Sequence, residues 1–117
     1  MTEHLKLTYL ELPAKDISAT KAFFQSVFNW TFKDYGPEYS SFSSESLDGG
    51  FFKSDLASSS ANGAALPVFY SKTLEDTQRA IEKAGGATVK PIFSFPGGRR
   101  FHFVEPSGNE FAVWSDS

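Results

Sequence analysis

The chain contains no cysteine, no long apolar run and no run of basic residues. Without thiols it can form no disulfide framework, thiolate metal site or thiol nucleophile, which excludes zinc fingers, iron–sulfur proteins and cysteine hydrolases. No stretch approaches the ~20 apolar residues that span a bilayer, and residues 1–7 lack the apolar segment of a signal peptide. We therefore expect no membrane partner and a cytoplasmic location.

The formal charge of −3 at neutral pH is small, and the isoelectric point is about 5.3. Proteins that bind nucleic acids present a basic surface to the phosphate backbone, and this composition offers none. The sequence therefore predicts no nucleic acid partner.

Phenylalanine dominates the aromatic residues and occupies 13 of the 117 positions. A chain of this length fits one domain of the commonest size and leaves little material for a second independent core. Because aromatic side chains bury large areas, we expect one core that is packed mainly from phenylalanine rings.

The first half of the chain has the pattern of one strand, one helix and three further strands. Residues 5–12 alternate and are rich in strand-forming types. Asp16 can cap a helix whose apolar positions recur at three- and four-residue steps, and we expect that helix to end near Asn29. Short runs separated by glycine-containing turns then predict a meander of three strands.

The second half follows a segment of small polar residues at 57–65, which predicts a linker without a regular element. Residues 66–70 predict a strand, and Thr73 with Asp76 fits a capping box at the start of a second helix. Gly85 is the expected stop signal of that helix. Three more strand-like runs complete the chain.

The two halves superpose at an offset of 57 residues, which brings Phe24 onto Ile81 and Tyr9 onto Leu66. Each half alone would expose one face of a four-stranded sheet, so the two units must pair, either within the chain or between chains. The sequence therefore predicts an α+β fold of two strand–helix–strands units, with a small-molecule cleft in the concave space between them.

Two motifs resemble a known family. The residues that carry the resemblance open the first helix and close the last hairpin: Asp16, Thr20, Phe23 and Phe24, and the run Glu105, Pro106, Ser107, Gly108 and Asn109. Together they are similar to the vicinal oxygen chelate superfamily, which includes glyoxalases, bleomycin resistance proteins and ring-cleaving dioxygenases. The resemblance covers nearly the whole chain and implies a single domain over residues 1–117, with βαβββ modules at about 4–56 and 66–117, and a homodimer.

In the metal-dependent members, the resemblance implies four ligands, from the first and last strand of each module. Carried over by position, three of these ligands fall on Tyr9, Leu66 and Ala112, and the fourth falls within residues 51–54. A leucine and an alanine supply no lone pairs for a divalent ion. We therefore predict no metal and no other cofactor. A metal-dependent lyase, isomerase or dioxygenase with ligands at other positions stays an alternative.

Strand alternation selects the residues that should line the cleft. If Phe111 and Val113 face the helices, their neighbours on the last strand face the cleft, and the same rule applies to the first strand and to the run at 99–104. The two arginines after Gly97-Gly98 could clamp a carboxylate or phosphate. The predicted ligand-binding residues are Tyr9, Glu11, Arg100, His102, Glu110 and Trp114.

His102 is the candidate catalytic residue, because imidazole titrates near neutral pH and could act as a general acid or base oriented by Glu11 or Glu110. A structural hydrogen-bonding role is the competing interpretation. The leading functional prediction is a metal-independent glyoxalase-like protein that binds a small, partly aromatic or carbonyl-bearing compound. The alternatives are an enzyme of the lyase or isomerase kind and a stand-alone interaction module.

Overall fold

The structure is a computed structural model that describes residues 4–117, so residues 1–3 of the predicted domain lie outside the described residues. The first module comprises β1 (Tyr9–Ala14), α1 (Ile17–Phe28), β2 (Thr31–Asp34), β3 (Tyr39–Ser43) and β4 (Asp48–Lys53). The second comprises β5 (Val68–Tyr70), α2 (Leu74–Lys83), β6 (Ala87–Phe95), β7 (Gly98–Val104) and β8 (Glu110–Ser115). The predicted α+β fold of two βαβββ modules is confirmed.

Each module forms one mixed four-stranded sheet, with strand orders β1-β4-β3-β2 and β5-β8-β7-β6. The first strand of each module runs parallel to the last, and the remaining pairs are antiparallel. A parallel pair needs a long crossover, which α1 and the following strands provide in the first module. As a result, β1 and β5 are edge strands of their sheets.

The first strand begins later than predicted. Residues 5–8 are not in the strand, and Leu5 has a φ of 60°, a left-handed conformation that interrupts an extended segment. The strand instead continues through Pro13 to Ala14. Proline is tolerated there because β1 is an edge strand that pairs only with β4, so one side needs no N–H donor.

The sequence predicted the two ends of α1 correctly but not the cap of α2. Asp16 caps α1 as predicted, with its Oδ1 accepting from the Ala19 N–H at 3.0 Å, and Asn29 ends the helix at a φ of 60°. The predicted capping box at Thr73 is wrong, because the Thr73 side chain makes no capping bond. Ser71 Oγ accepts from the Thr73 N–H instead, at 3.0 Å.

Among the described residues, no helix has the length and apolar character needed to cross a membrane.

The segment between the modules contains one turn of 3₁₀ helix at Ser60–Asn62, where the sequence predicted no regular element. The Ser58 N–H donates to Asn109 Oδ1 and the Glu110 N–H donates to the Ser58 carbonyl, both at 2.8 Å. The strand that follows starts at Val68, so Leu66 precedes it rather than beginning it as predicted. Pro67 lacks an N–H, which shortens the strand at that end.

The two modules share one aromatic core on the helix sides of their sheets. The Phe24 ring of α1 lies 5.7 Å from Phe51 of the first sheet and 5.3 Å from Phe111 of the second, measured between ring centroids. Phe28 stacks on Phe69 of the second module at 4.0 Å. The expected phenylalanine-rich core is therefore present. We call the face of each sheet that points away from the helices its open face; on the second sheet, His102 and Ala112 are nevertheless buried there.

A buried polar network also joins the modules. The Glu105 carboxylate is 2% exposed and accepts hydrogen bonds from the Thr20 hydroxyl at 2.9 Å, from the Ser107 N–H and from Asn109 Nδ2 at 2.8 Å. Asn109 Nδ2 also donates to the Pro13 carbonyl at the end of β1. Burial raises the pKa of Glu105, and the hydrogen bonds to its carboxylate oppose that rise. This network fixes the β7–β8 turn against the first module.

Candidate functional site

The open face of the second sheet carries most of the predicted site residues. Phe101, Phe103, Phe111 and Val113 are fully or almost fully buried in the shared core. Residues in register on neighbouring strands lie on the same face, and His102 pairs with Ala112 while Arg100 pairs with Trp114. The alternation along β7 and β8 therefore places Arg100, His102, Glu110 and Trp114 together on the face that points away from the helices.

A buried histidine–glutamate pair lies on this face. His102 is 4% exposed, and its Nδ1 lies 2.8 Å from Glu110 Oε2. Burial disfavours the ionised form of Glu110, but the hydrogen bonds from His102 and Ser60 outweigh burial and lower the pKa of that carboxyl. Glu110 thus orients His102, as one of the two alternatives from the sequence predicted. The other predicted partner, Glu11, lies on the first sheet.

Ser60 holds the second oxygen of Glu110. Both the N–H and the hydroxyl of Ser60 donate to Glu110 Oε1 at 2.8 Å. Sequence analysis missed this residue because it lies in an unpatterned polar segment that offers no periodic signal. The 3₁₀ turn between the modules consequently fixes the rotamer of Glu110 and, through it, the imidazole ring.

The two neighbouring arginines have separate partners. Arg99 forms an ion pair with Glu75 of α2, with Nη2 3.2 Å from Oε1. Arg100 lies on the open face, with its Cζ 5.4 Å from the centroid of the Phe93 ring and 5.9 Å from that of Phe95. Nothing in residues 4–117 accepts a hydrogen bond from its buried Nε or forms an ion pair with it. This guanidinium is therefore packed between aromatic rings without an acidic partner.

A cavity of about 340 Å³ opens beside Arg100. Its wall combines the guanidinium with the aromatic rings of Phe95 and Trp114, and also includes Val68, Gly97 and Asp116. The Asp116 carboxylate accepts a hydrogen bond from the Tyr70 hydroxyl on Oδ1, at 2.7 Å. The cavity thus offers one cation, one carboxylate and two aromatic surfaces to a ligand.

The open face of the first sheet carries a second group. The hydroxyls of Tyr9 and Tyr39 are hydrogen-bonded to each other, and the Tyr39 hydroxyl donates to Glu11 Oε2 at 2.9 Å. Burial and these hydrogen bonds raise the pKa of Tyr39. Gly50 of β4 lies against the Tyr39 side chain, and a larger residue at this position would collide with the Tyr39 ring. Sequence analysis missed Tyr39, although its alternation with buried Ser40 and Phe42 is a signal that could have identified it.

The predicted site residues therefore form two groups, one on each sheet. Tyr9 and Glu11 lie on the first sheet, whereas Arg100, His102, Glu110 and Trp114 lie on the second. Within residues 4–117, no hydrogen bond, ion pair or ring contact joins the two groups. Their role in ligand binding stays a prediction.

Comparison with known protein families identifies the scaffold. The family model described as the glyoxalase/bleomycin resistance protein/dioxygenase superfamily matches residues 6–113, which is nearly the whole chain. The chain belongs to this superfamily. No curated protein sequence matches it significantly.

Many solved structures share this fold, and the following three are under 20% identical to this chain. A glyoxalase-related enzyme from Fulvimarina pelagi has a TM-score of 0.78 and 14% identity, covering 96% of this chain and 88% of that one. A variant of the fosfomycin resistance protein FosX from Listeria monocytogenes, solved with Mn(II) and 1S,2S-dihydroxypropylphosphonic acid, has a TM-score of 0.79 and 19% identity over 96% and 90%. A lactoylglutathione lyase from Agrobacterium tumefaciens has a TM-score of 0.70 and 17% identity over 97% and 96%. Such likenesses establish the fold alone.

The residues of this superfamily member do not fit the divalent ion that its metal-dependent relatives hold. On the open face, Val68 of β5 lies in register with Ala112 of β8, and neither side chain has a donor atom for a metal. In the first module, the Tyr9 hydroxyl is bonded to Tyr39; Tyr9 lies in register with Asp48 of β4, and Glu11 lies in register with Gly50. The described part of the chain contains no cluster of three or more His, Cys, Asp or Glu that could hold a metal ion.

Proposed function

We propose that this superfamily member binds a small aromatic organic acid on the open face of its second sheet, without a metal, as a homodimer in the cytoplasm. The observation that carries the proposal is Arg100, a guanidinium without an acidic partner in the described chain, held between aromatic rings beside a cavity. Guanidinium groups bind carboxylates through paired charge-assisted hydrogen bonds.

The surroundings of Arg100 support an aromatic ligand. Phe95 and Trp114 line the cavity with their rings 6.2 Å apart, so aromatic surface borders the guanidinium. The volume of about 340 Å³ falls at the lower end of the roughly 300–1,000 Å³ that is typical of ligand pockets. A compound of one ring and one carboxylate matches this size. The absence of donor atoms at Val68 and Ala112 supports binding without a metal.

Replacing Arg100 by methionine is expected to weaken the binding of aromatic carboxylates by about 10- to 100-fold, the loss of one charge-assisted interaction. Methionine keeps an apolar stem against Phe93 and Phe95, so the fold should persist. Phenylacetate, benzoate and indole-3-acetate are the probes, and saturation-transfer NMR titrations measure their dissociation constants. Arg79→Met is the matched control, because Arg79 pairs with Asp76 on the exposed surface of α2.

Three outcomes would contradict the proposal. Equal affinities in the Arg100→Met variant and the wild type would show that Arg100 does not bind the anion. Conversion of a probe during the same NMR experiment would favour the lyase or isomerase alternative, for which the His102–Glu110 pair supplies an acid–base group. In that case His102→Ala should lower turnover by roughly two to four orders of magnitude. Stoichiometric metal in the purified protein would contradict metal-free binding.

Exposed apolar side chains at the edge strands support a homodimer. Leu5 and Leu7, next to β1, are 91% and 84% exposed, and Val68 and Tyr70 of β5 are also exposed. Unpaired edges that carry apolar side chains favour pairing with another chain. Light scattering should give twice the monomer mass, and Leu7→Lys should shift the protein toward the monomer. Leu56→Lys, at an exposed position outside the strands, is the control. A monomeric wild type would exclude the dimer.

A further inference from the structure

Two side chains of opposite charge line the cavity beside Arg100. Arg100 of β7 and Asp116, the residue after the end of β8, both border its volume of about 340 Å³. In residues 4–117, no carboxylate oxygen lies within 4.0 Å of a side-chain nitrogen of Arg100, so the two charges do not cancel each other by direct contact. Each charge therefore still needs a counter-charge, and one ligand can reach both.

The Asp116 carboxylate is oriented on one oxygen and open on the other. The Tyr70 hydroxyl donates to Oδ1 at 2.7 Å, and no group in the described part of the chain donates to Oδ2. This hydrogen bond raises the pKa of Tyr70, which keeps the phenol protonated as a donor. An ionised carboxylate has room for several donors, so Oδ2 can accept from a ligand cation.

The backbone that carries Asp116 is held against β7. Gly98 begins that strand at a φ of 151°, and a side chain there would collide with the Ser115 carbonyl oxygen. Glycine permits this close approach because it has no Cβ atom. Arg99 Nε also donates to the Ser117 carbonyl at 3.0 Å. Residues 115–117 therefore pack along the start of β7, and Asp116 is a fixed part of the cavity wall.

The spacing of the two charges suits one small molecule. Arg100 lies in register with Trp114, and Asp116 follows Trp114 by two residues. Diagonal neighbours of this kind have Cα atoms about 7–8 Å apart, a distance that two side chains and a ligand can bridge. The rings of Phe95 and Trp114 border the same space. A tryptophan ring also attracts an ammonium group, which adds to the effect of the Asp116 carboxylate.

We propose that this cavity binds an aromatic amino acid as its zwitterion, with the carboxylate on Arg100 and the ammonium group on Asp116. The inference rests on the proposed binding of an organic acid at Arg100 and narrows the class of acid. A simple aromatic acid brings a second negative charge toward Asp116, which repels it. A zwitterion supplies the matching positive charge instead, so the site selects for it by attraction and against the simple acid by repulsion.

Three probes test the inference: L-phenylalanine, 3-phenylpropionate and N-acetyl-L-phenylalanine. The first two differ only in the amino group, and the third keeps the nitrogen without its charge. L-phenylalanine should bind about fivefold more tightly than 3-phenylpropionate, the factor expected for one ion pair with an exposed carboxylate. The N-acetyl compound should gain nothing. Saturation-transfer NMR titrations of the wild type measure all three dissociation constants, so this comparison does not depend on a variant folding.

Replacing Asp116 by asparagine removes the charge and keeps an oxygen that accepts from the Tyr70 hydroxyl. The affinity ratio of L-phenylalanine to 3-phenylpropionate should therefore fall to about one in this variant. Asp55→Asn is the matched control, because Asp55 is exposed and does not line the cavity, and it should keep the fivefold ratio. High salt should lower the ratio in the wild type, since an exposed ion pair is screened.

The two proposals fail in different ways. If Arg100→Met leaves the affinity of all three probes unchanged, the proposed organic acid function fails and the inference falls with it. If Arg100→Met weakens all three but L-phenylalanine binds no more tightly than 3-phenylpropionate in the wild type, only the role of Asp116 is wrong. A preference for L-phenylalanine that persists in Asp116→Asn would also overturn it, because another group would then recognise the ammonium. An equal gain for the N-acetyl compound would do the same.

Discussion

Replacing Glu105 by alanine is expected to lower the free energy of unfolding by about 3 kcal/mol. The carboxylate accepts from Thr20, Ser107 and Asn109 in a site that is 2% exposed, so its removal leaves buried donors without an acceptor and opens a cavity. Urea denaturation followed by circular dichroism measures the change. Glu38→Ala, at an exposed position, should change the stability by less than about 0.5 kcal/mol.

The pH dependence of the same site offers an independent check. Because burial raises the pKa of Glu105 above its ordinary value of 4.5, the folded protein keeps a proton that the unfolded chain has lost. The contribution of Glu105 to stability is therefore greatest on the acid side and decreases as the pH rises from about 4.5 through the folded pKa. Glutamine does not titrate, so Glu105→Gln lacks this pH-dependent contribution. The difference in free energy of unfolding between wild type and variant should therefore decrease as the pH rises from about 4.5 through the folded pKa. A difference that increases with pH would contradict the assignment.

Replacing Phe24 by alanine is expected to lower the free energy of unfolding by about 4 kcal/mol and to destabilise both modules together. The ring is fully buried and contacts Phe51 of the first sheet, Phe111 of the second and Trp30, on which it stacks at 4.4 Å. One side chain thus supports both halves of the core. Leu56→Ala, at a 70% exposed position, is the control and should have little effect.

The two tryptophans allow each module to be followed separately. Trp30 lies in the first module and Trp114 in the second, so Trp114→Phe leaves a fluorescence reporter for the first, and Trp30→Phe leaves one for the second. Coincident urea transitions in the two backgrounds, both shifted by Phe24→Ala, would establish a single cooperative core. A shift confined to the first module would show that the halves unfold independently.

Local patterns predicted the secondary structure well where a single periodicity dominated. The apolar steps after Asp16 and the left-handed residue Asn29 bounded α1 as expected. Alternation around Phe101 and Phe103 correctly placed these two rings in the shared core, although His102 between them is buried as well. The errors fell at strand ends and at the Thr73 cap, where several side chains could satisfy the same backbone groups and only packing selects among them.

Only part of the candidate site could be predicted from the sequence. The spacing on β7 and β8 was enough to place Arg100, His102 and Glu110 on one face, because neighbouring strands keep a fixed period of two. Ser60 could not be found in this way, since it reaches Glu110 from a segment 50 residues away that has no periodic pattern. The same applies to Thr20, which is 85 residues from Glu105.

The sequence by itself determined the two βαβββ modules, their helix and strand order and the superfamily to which the chain belongs, because these depend on short-range periodicity and local motifs. The tertiary structure alone decided that Tyr9 and Glu11 lie apart from His102 and that Glu105 is buried between the modules. It also decided that one imidazole nitrogen of His102 has no hydrogen-bond partner within residues 4–117. These features depend on which faces of distant segments meet. That outcome is set by the packing of the shared aromatic core and is not encoded in any local stretch of the chain.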